Sequence, residues 1–82
     1  MDRAMWQRHL VIAERHVGAA RGHISHRRQI VAELEQGGHD TTMAKAILTQ
    51  LEAMLKLHIE DRDRLQADLS RAEQLPLPLP KP

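Results

Sequence analysis

The chain reads as an all-α protein, an antiparallel two-helix hairpin expected to dimerise into a four-helix bundle. Three observations predict this. The 82 residues are rich in strong helix formers, with a single Trp and no Phe, Tyr or Cys, whereas a sheet-based core of this size would draw on aromatic and β-branched residues. Two proline-free stretches, each long enough for roughly nine helical turns, flank one break, Gly37-Gly38-His39-Asp40-Thr41. Within each stretch apolar residues recur at alternating spacings of four and three, the signature of a helix with one packed seam.

The first helix is expected over residues 2–36. Its seam runs through Trp6, Leu10, Ala13, Val17, Ala20, Ile24, Arg27, Val31 and Leu34. Adjacent glycines at 37 and 38 end it, because one of them can take the left-handed conformation that closes a helix C-terminus. The turn spans residues 37–41, where Asp40 or Thr41 can accept the free N–H groups that open the next helix. The second helix is expected over 42–74, with a seam of Ala44, Leu48, Leu51, Leu55, His58, Arg62, Leu65, Leu69 and Ala72. A short loop between two long amphipathic helices makes them antiparallel neighbours. Residues 1–74 thus form the hairpin. Residues 75–82 alternate Leu with Pro and close on Lys-Pro, which predicts a proline-rich, disordered tail.

A turn at Gly37-Gly38 sets a register. Trp6 meets Leu69, Leu10 meets Leu65, Ala20 meets Leu55 and Ile24 meets Leu51 on the seam. One flank then pairs Glu35 with Lys45 and Arg28 with Glu52. The other pairs His9 with Asp68, His16 with Asp61, His23 with Met54 and Ile30 with Ile47. Opposite charges and apolar partners fall together in this register, as an interhelical contact requires. Arg62, on the seam, is expected to reach Glu14, its stem covering apolar surface.

Composition excludes several functions. With no cysteine there is no disulfide framework, cysteine zinc finger or thiol nucleophile. Net charge is +1, so nothing points to nucleic acid as partner. The longest apolar run, Leu10-Val11-Ile12-Ala13, is too short for a membrane span or a signal-peptide core, and a cytoplasmic protein with no membrane partner is the expectation. No Ser/His/acid set, phosphate loop or aromatic platform is present, so no catalytic residue and no cofactor are assigned.

A second stripe lies beside the seam. On the first helix it comprises Met5, His9, Ile12, His16, Ala19, His23, His26 and Ile30; on the second, Met43, Ile47, Gln50, Met54, Leu57 and Asp61. A two-helix hairpin needs one apolar stripe per helix, so the second must bury itself against something else. The expected interface is Met5, Ile12, Ile30, Met43, Ile47, Met54 and Leu57, covered by a second copy of the chain or by a helical protein partner. The function read from this is a non-enzymatic protein–protein interaction or dimerisation module.

Two alternatives rest on the histidines. His23 and His26, three apart, can face one ion from a single helical turn, giving a metal-binding or metal-responsive bundle. No Glu-x-x-His or His-Glu-x-x-His pattern accompanies them, so no metal ligand is assigned beyond that pair. The second alternative is phosphotransfer. Ile24-Ser25-His26-Arg27 places a histidine beside the seam, as in the dimerisation hairpins of sensor kinases, but no acid follows His26.

The stretches Glu33-Leu34-Glu35-Gln36-Gly37-Gly38-His39-Asp40-Thr41-Thr42, Ala46-Ile47-Leu48 and His58-Ile59-Glu60-Asp61-Arg62-Asp63-Arg64-Leu65, with Arg15-His16-Val17 upstream, resemble short helical-hairpin proteins of rhizobia and related alphaproteobacteria. The resemblance covers most of the body and not the proline tail. It implies a bacterial cytoplasmic protein and brings no activity, because none is assigned to those proteins.

Overall fold

A computed structural model describes residues 3–74, two helices in antiparallel contact: α1 spans Arg3–Gln36 and α2 spans Thr42–Gln74. The expected proline tail lies outside the described residues. The α1 seam is buried or half-buried throughout, and the α2 seam likewise except at Ala72, which is exposed near the open end. The most deeply buried apolar residues are Ala13, Val17, Ile24 and Val31 of α1 and Leu69 of α2. A pair of helices shields only the line where they touch. The small side chains of α1 therefore disappear beneath α2, while most of the longer leucines of α2 stay half-exposed at their edges.

The turn closes as the paired glycines require. Gly38 adopts φ 72°, the left-handed conformation. Its N–H donates to the carbonyl of Glu35 at 3.1 Å, and the His39 N–H donates to that of Leu34 at 2.9 Å. These two bonds satisfy carbonyls that the end of α1 would otherwise leave open. Thr41 then starts α2, its carbonyl accepting from the Lys45 N–H at 2.8 Å. The Asp40 carboxylate accepts both the Thr42 N–H at 3.0 Å and the Thr42 hydroxyl at 2.7 Å. The hydroxyl bond first, and the backbone bond second, hold the Asp40 carboxyl below its ordinary value, because both favour the ionised form.

Ion pairs across the helices bear out the expected register. Lys45 Nζ lies 2.9 Å from Glu35 Oε1, and Arg28 Nη2 lies 3.6 Å from Glu52 Oε2. A third pair, Arg3 to Glu73 at 2.9 Å, joins the open end. All three are exposed, so each contributes about 1 kcal/mol or less; their value is in selecting one alignment over another.

Three expected polar contacts are corrected. Arg62 does not take Glu14 as its ion-pair partner; its guanidinium binds its neighbour Asp63 at 2.9 Å, a contact that costs less side-chain ordering than reaching across the seam. Asp61 and Asp68 do not pair with His16 and His9. Each carboxylate is taken by an arginine three residues on, Arg64 at 2.6 Å and Arg71 at 3.1 Å, within one turn of the same helix.

Candidate interaction face

The two flanks of the hairpin differ in kind. One carries Arg28, Glu35, Lys45 and Glu52, joined across the helices. Across the other, among the described residues, no ion pair joins α1 to α2; its side chains are mostly apolar or imidazole, and the carboxylates of Asp61 and Asp68 are paired within α2.

This second flank contains two shallow grooves that share His16. The first is lined by His9, Ile12, Ala13, His16, Asp61 and Leu65. The second is lined by His16, Ala19, Ala20, His23, Leu51, Met54 and His58. Helical periodicity continues the face along α2 through Met43, Ile47 and Leu57. Of the seven residues expected to form an interface, four are exposed: Ile12 at 47%, Met43 at 74%, Met54 at 53% and Leu57 at 64%. Met5, Ile30 and Ile47 are half-buried; they lie closer to the seam and take partial cover from the opposite helix. Val11 is also exposed, on a neighbouring surface with Gln7, Arg8 and Arg15, and the stripe drawn from sequence omitted it.

The histidines are arranged differently from the expected pattern. His23 and His26 are both exposed, and only His23 is among the residues lining the groove with His16 and His58. Among the described residues no group of three or more histidine or acidic side chains is placed to hold a metal ion. The His23–His26 pair therefore gains no third protein ligand. His26, the candidate for phosphotransfer, sits between buried Ile24 and half-buried Arg27 on the open surface of α1. The closest imidazole association is one that sequence reasoning missed. The rings of His16, on α1, and His58, on α2, lie with centroids 5.4 Å apart and planes inclined by 57°. A signal for it was present. The seam register sets His58 opposite Val17, and the residue beside Val17 is His16.

Chemically, the face offers apolar surface and uncommitted imidazoles. Among the described residues no polar or charged side chain is buried, and the grooves are open to solvent. Among the described residues no helix is long and apolar enough to cross a membrane. The chain matches no family model, no curated protein and no solved structure.

Proposed function

We propose that this chain is a non-enzymatic dimerisation module of the bacterial cytoplasm, whose apolar flank packs against the same flank of a second copy to give a four-helix bundle. One observation carries the reading: the hairpin leaves larger side chains, Met43, Met54 and Leu57, more exposed than the alanine and valines it buries. Contiguous apolar surface of this kind marks an association site.

A second copy suits the face in size and in charge. From Met5 to Ile30 the stripe runs about 37 Å at 1.5 Å per residue, and two helices are roughly 20 Å wide, so the patch is on the order of 700 Å². A standard interface covers about 800 Å² on each partner. A two-fold contact brings a surface against itself, which a single-sign charged face would oppose. The charged residues joined across the helices are on the other flank, and the two aspartates nearest this one are each neutralised by an arginine of their own helix.

Sedimentation equilibrium tests this. The wild-type chain is expected at twice its monomer mass at micromolar concentration, and Leu57→Glu and Ile47→Glu at monomer mass, because each would bury a charge in the contact. Leu57→Glu is the cleaner variant, since Leu57 contributes little to the hairpin itself. A monomeric wild-type chain at that concentration would overturn the proposal.

A further inference from the structure

We propose that His16 and His58 form a two-histidine chelate for a divalent transition ion, Zn²⁺ as the reference case, that ties α1 to α2 within one chain. The juxtaposition is specific. Two imidazoles from helices that meet only through tertiary packing lie with ring centroids 5.4 Å apart on the rim of one groove. A zinc–nitrogen bond is about 2.0–2.1 Å, and a ring nitrogen lies about 1.1 Å from the ring centroid, so two imidazoles at a tetrahedral angle place their centroids roughly 5 Å apart. The observed separation is within a few tenths of an ångström of that. The inclined ring planes suit two ligands converging on one ion better than a stacked pair would. His16 is exposed and His58 half-buried, so the ion has access from solvent and the His16 ring has room to turn toward it.

Water fills the remaining coordination positions. His23 lines the same groove but stands seven residues from His16, about 10 Å along the axis. Asp61 borders the neighbouring groove with its carboxylate occupied by Arg64. The chelate therefore has two protein ligands. Its affinity is below that of a four-ligand structural site, and its effect is to cross-link the helices. It requires one chain only and does not depend on dimerisation.

Thermal unfolding of the full chain by circular dichroism, with Zn²⁺ alone and with Mg²⁺ as control, tests the proposal. Zn²⁺ about a hundredfold above its dissociation constant should raise Tm by roughly 10–20 °C, with Mg²⁺ inert because imidazole does not suit it. His16→Ala, at an exposed position, should keep the metal-free Tm and lose most of the zinc increment. His26→Ala should keep the increment. Because His58→Ala loosens the seam, His58 is read instead by NMR: Zn²⁺ should shift the His16 and His58 imidazole signals together at one ion per chain, with His26 and His39 unmoved. No zinc increment, or an increment that survives His16→Ala and disappears with His26→Ala, would overturn it. So would an increment seen only at concentrations where the chain sediments as a dimer and absent where it sediments as a monomer, which would place the ion between chains.

Discussion

Truncating Ile24 to alanine and Leu57 to alanine separates the contact that makes the hairpin from the one proposed to make the dimer. Ile24 is 3% exposed and belongs to the expected seam layer with Leu51. Ile24→Ala removes three carbon groups at about 0.8 kcal/mol each, roughly 2.4 kcal/mol of lost burial. A residual void adds to this. The gain in helix preference of Ala over Ile, about 0.4 kcal/mol, offsets part of it. The net loss is about 2–3 kcal/mol, at the low end for such truncations, because a two-helix seam is open at its sides and can relax. That corresponds to a fall in Tm of roughly 10–20 °C. Leu57 is 64% exposed, so the same arithmetic leaves less than about 1 kcal/mol for Leu57→Ala in an isolated hairpin. Urea unfolding followed by circular dichroism, at protein concentrations a hundredfold apart, reads both. Ile24→Ala should lower stability at either concentration. Leu57→Ala should lower it further only at the higher one, where association contributes. An Ile24→Ala variant within about 0.5 kcal/mol of wild type would refute the seam as the source of hairpin stability. A Leu57→Ala effect that ignores concentration would refute the dimer face.

The remaining predictions concern the turn and the outer surface of α1. Gly38→Val should cost about 1–2 kcal/mol by chemical denaturation, since nothing lies near an added Cβ and the whole penalty is the positive φ. Gly37→Ala should cost less; its Cβ would press on the His39 ring at 2.8 Å, which can swing away, and meet the Glu33 carbonyl oxygen at an ordinary 3.6 Å. Gly22→Ala should stabilise by about 0.5–1 kcal/mol in the same assay, because position 22 is helical and its surroundings are empty. Asp40 has a folded pKa below its ordinary value of 3.8. Its contribution is therefore complete above that ordinary value and is lost as pH falls through the lowered folded value. Thermal melts on a pH series from neutral into that acid range should show a smaller acid-induced loss for Asp40→Asn than for wild type.

The hairpin was legible in the sequence because its determinants are local or periodic. Gly37-Gly38 followed by Asp40-Thr41 states where one helix stops and the next begins, and the four–three spacing states which side of each helix packs. Those two facts leave one antiparallel alignment in which Glu35 meets Lys45 and Arg28 meets Glu52, and both pairs are present. What the register did not reveal is how long side chains choose among partners at similar distance. Asp61, Asp68 and Arg62 each had a plausible partner across the hairpin, yet each takes one on its own helix, where the backbone has already brought the groups together and less side-chain freedom is lost. His16 is a case in point: Asp61 is engaged by Arg64, and the ring of His16 lies beside that of His58 on α2, a residue that sequence alone placed only in the seam. The candidate face was legible as a stripe but not in its depth. Met5, Ile30 and Ile47 have the same spacing as Ile12, Met43, Met54 and Leu57, and only the packing of the two helices shows that the first three take partial cover from the opposite helix while the other four stand exposed. An assay that perturbs only those four positions therefore tests the proposed association by itself, whereas substitutions at Ile30 or Ile47 would perturb folding as well.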